Sequence, residues 1–266
     1  TDGGGILRYS YCDPAFIMGT PMTAARPLED WAAISAQNRW QGLIFPGEHD
    51  ARIVPIVRPK DNRRALNAQW SVQSKGSLIT QKLKHHKGGA EMIVWMSKDG
   101  LSEPVEEDGI VFVEAENAYA GIKVVHGGFE WRHTPFIAMS GDTSSRSTPE
   151  GQTMILNEEY APVILEVMAK SDAGSFDAFK AMVKSCRIRM NGPVLEYKTI
   201  YGDRITLDTS FEKTPTINGK PVDYAPEKVF ESPFLNADWN SGIVTISKGN
   251  RKKVLNFESG NSAQRK

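Results

Sequence analysis

Several features that would assign the chain of 266 residues to a class of protein are absent from its sequence. It has only two cysteines, Cys12 and Cys186, so it has no disulfide scaffold and no CxxC metal spacing. Its 32 Lys and Arg residues balance 32 Asp and Glu residues, so no overall charge favours nucleic acid or an acidic membrane surface. No run approaches the ~20 apolar residues that a membrane-spanning helix needs. We therefore expect neither a nucleic-acid partner nor a membrane partner.

Complete catalytic motifs are also absent. There is no GxSxG nucleophile motif and no Walker sequence. Carboxylate pairs for glycoside hydrolysis can be drawn from several acidic residues, but the sequence does not show the carboxyl separation that this chemistry requires. Catalytic residues are thus not assigned, and no cofactor is expected. These acidic residues are Glu106, Glu107, Asp108, Glu114, Glu116, Glu158 and Glu159.

The chain termini and the cysteines support two further expectations. The chain begins at "TDGGGILRYS" without Met, a basic region or an apolar region. We therefore expect either that a signal peptide has been removed or that the chain is a fragment of a longer protein. Cys12 and Cys186 can pair or remain free, and we expect two unpaired, core-like thiols because cysteine is among the most often buried residue types.

Short β-branched and aromatic runs recur between turn signals along the chain, among them "ARIVPIV", "EMIVWMS" and "GIVFVEA". Two hairpins are indicated by Asn218-Gly219 in "TINGKPV" and by Gly249-Asn250 in "TISKGNRKKV", because these pairs tolerate the positive φ of tight turns. In "DRITLDTS", Ile205 and Leu207 alternate with polar residues, as in a sheet with one wet face. The pattern predicts an all-β protein of stacked antiparallel sheets.

One segment, "GSFDAFKAMVKSC", has helical spacing and predicts a short helix near residues 175–185. Ser175 is placed to cap its N-terminus and Asp177 lies in its first turn. The polar loop 140–153 contains Pro and Gly and is the longest stretch without periodicity. We expect a single β-sandwich domain over residues 1–266, which this loop divides into two subdomains or leaves undivided.

The adjacent histidines His85 and His86 lie in a basic segment, "QKLKHHKGG". Neighbouring strand residues point to opposite faces, so this pair does not predict a metal site. The segment predicts either a surface for a sugar carboxylate or sulfate, or solvated charge at a hairpin tip. The candidate binding residues from this segment are Lys82, Lys84 and His85.

Two other segments carry polar groups near aromatic ones. His126 lies close in sequence to Glu130 and His133, which indicates either a pocket with a base and a carboxylate or a turn with incidental polar residues. The six tryptophans favour core positions, with Trp40 as the best exception because polar residues surround it. By the period of two we expect Trp40 to be buried and its neighbours to meet a sugar or partner domain. The candidates there are Asn38, Arg39 and Gln41.

The order of these segments resembles a known family. "YCDPAFIMGT" followed by "WAAISAQNRWQGLIF" resembles the opening of the antiparallel sheet domain of heparinase II/III-like and related polysaccharide lyases. "GIVFVEAENAYAGIKVV" and "APVILEVMAKSDAGSFDAFKAMV" are similar to the strand, strand and short-helix order of that domain. "TINGKPVDY" and "VTISKGNRKKVLNF" are similar to its closing hairpins. The resemblance implies a β-supersandwich.

The resemblance also implies a function. In such lyases a cleft between the sheet domain and an upstream helical toroid cleaves uronic-acid glycans by β-elimination, and the toroid carries much of the catalytic set. This chain would then be a secreted or periplasmic carbohydrate-associated domain that binds a polysaccharide or oligosaccharide beside a toroid. The alternatives are a complete lyase or glycoside hydrolase, or a non-catalytic carbohydrate-binding or structural module. Some members hold a metal in this domain, but no residue here carries that pattern, so no metal is expected.

Overall fold

The computed structural model describes residues 7–22, 41–59, 69–83, 90–133, 150–223, 228–238 and 241–257. The chain divides into two compact units, a larger one spanning residues 8–222 and a smaller one comprising 1–7 and 223–266. In the described part of the chain the pairs of known register are all antiparallel, which confirms the predicted all-β class. No helix in these residues is long and apolar enough to span a membrane.

Eighteen of the described strands and both described helices precede Val222 in the chain. They are β1 (Leu7–Asp13), β2 (Phe16–Met22), β3 (Gly42–Ile44), β4 (Arg52–Pro59), β5 (Gln69–Ser74), β6 (Ser77–Lys82), β7 (Ala90–Ser97), β8 (Val105–Glu107), β9 (Ile110–Glu114), β10 (Ala118–Val124), β11 (Phe129–His133), β12 (Gly151–Leu156), β13 (Val163–Ala169), α1 (Lys170–Ala173), α2 (Phe176–Ser185), β14 (Ile188–Asn191), β15 (Val194–Lys198), β16 (Arg204–Asp208), β17 (Thr216–Ile217) and β18 (Lys220–Pro221).

The strands of the larger unit form three sheets. Sheet A has the order β1-β2-β3-β4-β7-β12-β11, sheet B the order β5-β6-β13-β10-β9-β8, and sheet C the order β14-β15-β16-β17-β18. The inner faces of sheets A and B share one apolar core, to which sheet A contributes Met18, Ile53 and Val94 and sheet B contributes Val111 and Leu165. The stacked sheets confirm the predicted sandwich.

The outer face of sheet B is covered as well, by the predicted helix. Ser175 caps α2, its side chain accepting a hydrogen bond from the Ala178 amide at 3.1 Å. Phe179 and Val183 of α2 are buried against Phe112 and Tyr119 of sheet B. The central strand β13 beside them is also buried on both faces, and its seven residues are all buried.

One of the buried side chains of β13 carries a carboxyl group, that of Glu166. Ser77 Oγ donates to Glu166 Oε2 at 2.5 Å, and the Ile200 amide donates to Oε1 at 3.4 Å. The Tyr197 hydroxyl of sheet C also hydrogen-bonds to this carboxyl group. Burial raises the pKa of the Glu166 carboxyl to about 8, against the effect of these hydrogen bonds. Glu166 thus links sheet B to sheet C in its protonated form at neutral pH.

Both predicted hairpin turns are present. Asn218 and Gly219 have φ of 53° and 78°, the pattern of a type I′ turn, and they join β17 to β18. Of the loop 140–153, residues 151–153 begin β12, and residues 140–149 lie outside the described residues. Whether the chain forms one domain or two subdomains stays a prediction.

The smaller unit contains a four-stranded meander: β19 (Lys228–Glu231), β20 (Leu235–Asp238), β21 (Ile243–Lys248) and β22 (Arg251–Asn256). The predicted turn at Gly249-Asn250 joins the last two strands, with Lys248 opposite Arg251. Cross-strand pairs such as Val244 with Leu255 and Leu235 with Ile246 place apolar side chains on one face of this sheet.

The cysteines are both free, as expected, but the expected burial is wrong for Cys12, which is exposed. Cys186 is partly buried at the end of α2, where its thiol donates to the Met182 carbonyl oxygen at 3.4 Å. Burial raises the pKa of the Cys186 thiol to about 11.

We expect Glu166→Gln to change how stability depends on pH. The pKa of the Glu166 carboxyl in the folded state is raised above its unfolded value of about 4.3. The native protein therefore loses stability as the pH rises from that value, and this loss levels off above the folded-state pKa. Glutamine fills the same space without ionising. The variant should match the wild type near pH 5 and exceed it by a few kcal/mol at pH 9, measured by urea unfolding. In a Glu196→Gln control the free energy of unfolding should depend on pH as it does in the wild type. The same dependence in Glu166→Gln would contradict the raised pKa of Glu166.

Candidate functional site

A groove of about 440 Å³ lies at one edge of the sandwich, between the last strand of sheet A and the last strands of sheet B. Its walls come from the β8–β9 turn, the end of β10, the start of β11 and the turn after β12. The lining residues are Glu106, Asp108, Gly109, Lys123, Val124, Gly128, Phe129, Trp131 and Asn157.

The exposure of Trp131 follows from its place in the fold. Trp131 pairs with Met154 and Phe129 with Leu156, so both aromatic residues lie on the core face of sheet A. The opposing edge strand β8 has only three residues and leaves Trp131 uncovered. The residue is 39% exposed, and its ring stands edge-on to that of Phe129 at 5.4 Å. An aromatic surface therefore opens into the groove.

The helix α2 positions the opposite wall. Lys180 Nζ lies 2.8 Å and Lys184 Nζ 2.6 Å from the carboxylate of Glu107, and these hydrogen bonds hold the pKa of that carboxyl below its usual value. Lys184 also pairs with Asp108 at 2.9 Å. Asp108 and Gly109 have φ of 54° and 70° and form the tight turn between β8 and β9. The β8–β9 turn is thus anchored to α2 through Glu107 and Asp108.

Two charged side chains of the groove are unpaired. The side chains of Glu106 and Lys123 form no ion pair or hydrogen bond within the described part of the chain. The Asn157 side chain donates to the Gly127 carbonyl oxygen at 3.1 Å, which leaves its amide oxygen as an acceptor. The groove therefore combines an aromatic face with a free carboxylate, a free amide oxygen and a free ammonium group.

His126 lies beside the groove, in the turn before β11. Its Nδ1 lies 2.7 Å from Glu158 Oε2, so its carboxylate partner is Glu158 rather than the expected Glu130. Both side chains are exposed, and this pair is a surface contact between two turns. The side chain of His133 lies outside the described residues. Of the two interpretations of this segment, the structure favours the turn.

A second groove, of about 610 Å³, lies among loops of the larger unit. His49 Nδ1 is 2.9 Å from Asp99 Oδ1, and Lys170 Nζ is 3.3 Å from Glu114 Oε2. Its remaining polar lining includes Glu48, Ser102 and Glu116. The histidine and carboxylate have the arrangement of a general base and its orienting group, but both side chains are more than half exposed.

Gln41 is one of the two candidate residues from the sequence that the structure describes. It is 4% exposed, so the expectation that it faces a partner or sugar is wrong. Its amide nitrogen donates to Thr80 Oγ1 at 3.1 Å, and its oxygen accepts from Ser71 Oγ at 2.8 Å. Gln41 thus belongs to a buried polar network between sheets A and B.

Lys82 is the other described candidate, and the expectation of a basic surface is wrong for it too. Leu78, Thr80 and Lys82 alternate onto the core face of β6, and the Lys82 side chain is fully buried. Its ammonium group pairs with Glu159 and lies 5.3 Å from the centre of the Tyr160 ring. Burying this ammonium requires such a partner. The candidates Asn38, Arg39, Lys84 and His85, together with Trp40 and His86, lie outside the described residues and stay predictions.

Sequence reasoning missed Trp131. The alternation of Phe129 and Trp131 with Glu130 and Arg132 shows which residues share a face, but not that β11 is an edge strand. Trp70 and Trp95 are buried, at 4% and 2% exposed, which confirms the core assignment for these two. Among the described residues no group of three or more His, Cys, Asp and Glu side chains is arranged to hold a metal ion.

No known protein-family model matches the chain, and no curated protein is significantly similar to it in sequence. The functional argument therefore depends on the geometry of the groove.

We expect Gly127→Ala to destabilise the protein more than an ordinary glycine substitution. Gly127 has φ of 77°, and a Cβ there would lie within 2.5 Å of the Glu158 side chain. Gly192 has a similar φ of 59° with open space around it, so Gly192→Ala serves as the control. The control should cost about 1 kcal/mol from backbone strain alone. Gly127→Ala should cost more in urea unfolding; equal costs would show that the contact with Glu158 is easily relieved.

Proposed function

We propose that this chain is a carbohydrate-associated β-sandwich domain that binds a glycan in the groove beside Trp131. The observation that supports this proposal is an exposed tryptophan at the edge of the sandwich, facing unpaired polar groups. The apolar CH face of a sugar ring packs on an indole ring, while its hydroxyl groups need hydrogen-bond partners at the ring's rim.

The size and composition of the groove agree with this proposal. Its volume of about 440 Å³ falls within the range of roughly 300–1,000 Å³ for small-molecule sites. The carboxylate of Glu106 and the amide oxygen of Asn157 accept hydrogen bonds from hydroxyl groups. Because β11 is an edge strand and β8 is short, the groove is open to solvent, which suits a chain of sugar units.

The lyase resemblance adds a finer proposal. In it, this domain lies beside an upstream helical toroid in a secreted or periplasmic protein and contributes to a cleft for uronic-acid glycans. The groove at the sandwich edge supports a binding contribution, and the chain's role in isolation is then that of a binding module.

The catalytic alternative is a lyase or glycoside hydrolase acting alone. The observation in its favour is the His49–Asp99 pair in the second groove, with Lys170 nearby to meet a sugar carboxylate. Three glutamates line the same groove and would repel such a substrate. The binding module is therefore the better-supported proposal.

The binding proposal predicts that Trp131→Ala abolishes glycan binding. Removing the indole ring deletes the apolar surface on which a sugar packs, and because the residue is exposed the fold should be retained. Binding would be measured on a glycan array and then by isothermal titration calorimetry with the best ligand. Arg132→Ala, the next residue on the opposite face of β11, is the matched control and should bind as the wild type does. A wild-type chain that binds no glycan on the array, or equal binding by Trp131→Ala, would refute the proposal.

The module proposal also predicts that the chain alone does not cleave uronic-acid polysaccharides. A lyase leaves an unsaturated product that absorbs in the ultraviolet, so absorbance should stay constant over a panel of such polymers. Absorbance that grows with the wild type and is lost in His49→Ala would instead place β-elimination in the second groove. Arg132→Ala serves again as the control for protein quality.

A further inference from the structure

The groove beside Trp131 presents more hydrogen-bond acceptors than donors. Glu106 contributes two carboxylate oxygens without partners, and Asn157 contributes one amide oxygen, while one of its two N–H groups is bound to the Gly127 carbonyl oxygen. Asp108 adds a second carboxylate to the lining. Lys123 is the single cation among the lining side chains. A ligand that satisfies these groups must itself be rich in donors.

The two lysines nearest this wall pair with Glu107 and Asp108 and leave Glu106 unpaired. Lys180 and Lys184 bind Glu107 on the other face of the β8 strand, and Lys184 also pairs with Asp108. These hydrogen bonds raise the pKa of both lysines, so they stay charged and committed to the turn. Glu106 has no such partner in the described part of the chain.

An acidic sugar is poorly matched to this arrangement. A uronate carboxylate offers acceptors only, and it would meet the Glu106 carboxylate as a like charge in a groove with one lysine. A neutral sugar ring offers neighbouring hydroxyl groups, two of which can donate to the two oxygens of one carboxylate. Hydrogen bonds to a charged acceptor are stronger than those between neutral groups.

We infer that the groove beside Trp131 selects neutral, hydroxyl-rich sugar units, with Glu106 as the residue that sets this specificity. The inference rests on the proposed glycan-binding function and names the class of sugar that the site takes. Trp131 packs against the ring, Glu106 accepts from a pair of hydroxyl groups, and Asn157 accepts from a further hydroxyl. The uronic acids expected from the lyase resemblance are disfavoured at this position.

The test measures one panel of ligands of equal length against the wild type and four variants of the full chain. The ligands are cellohexaose, mannohexaose, hexagalacturonate, hexamannuronate and chitosan hexaose, each titrated calorimetrically at low and at 0.5 M salt. The variants are Glu106→Gln, Lys123→Ala and the control Arg132→Ala, with Trp131→Ala to show that binding occurs in this groove.

A neutral hexasaccharide should bind most tightly, with an affinity that changes little with salt. Glu106→Gln should weaken this binding by roughly tenfold, since it removes a charged acceptor. Arg132→Ala should stay within about twofold of the wild type, because its side chain lies on the opposite face of β11 and its loss removes no acceptor that faces the sugar hydroxyls.

Three results would overturn the inference. Tighter binding of either uronate, strengthened by Glu106→Gln and lost in Lys123→Ala, would assign the groove to acidic sugars while leaving its glycan-binding function intact. Tighter binding of chitosan hexaose, weakened by salt, would assign it to amino sugars in the same way. Binding of none of the five ligands by the wild type would refute the inference, and a blank glycan array would refute the binding function with it.

Discussion

Sheets B and C of the larger unit meet at one buried carboxyl group. Glu166 lies on β13, which is covered by sheet A on one side and by sheet C on the other. Its carboxyl group is hydrogen-bonded to Ser77 of sheet B and to Tyr197 and Ile200 on the outer side. Without it the hydroxyl groups of Ser77 and Tyr197 and the amide of Ile200 would lose a shared acceptor in a buried place. Unsatisfied buried groups are costly, so the position of sheet C depends on this contact.

The groove at the sandwich edge has a simple geometric origin. Two stacked sheets cover each other only where both have strands of comparable length, and at this edge a five-residue strand faces a three-residue one. The uncovered part of the longer strand exposes an aromatic side chain that elsewhere in the sandwich would belong to the core. The shorter strand stays in place because α2 holds its turn through two lysines.

Local features of this protein could be predicted from the sequence, and the groove could not. The cap at Ser175 and the turn at Asn218-Gly219 depend on a few adjacent residues, so their signals are contained in short segments. Lys82 and Gln41 look like surface residues in sequence, yet Lys82 lies on the interior strand β6, where it pairs with Glu159, and Gln41 belongs to a buried polar network with Ser71 and Thr80. The exposure of Trp131 depends on which strands lie at the two edges, which is a property of the whole strand order.

That strand order also bears on how the chain folds. In sheet A, β4 pairs with β7 and β7 with β12, while β5 and β6 between them belong to the other sheet. Sheet A therefore cannot be completed until the strand at residues 151–156 has been synthesised. Proteins dominated by such distant pairings fold slowly, because loops must close before the contacts form. Sheet B likewise lacks its central strand until β13 has been made. During that interval the apolar strands of both sheets have unpaired edges, so a nascent chain of this protein is exposed to aggregation until β12 and β13 join.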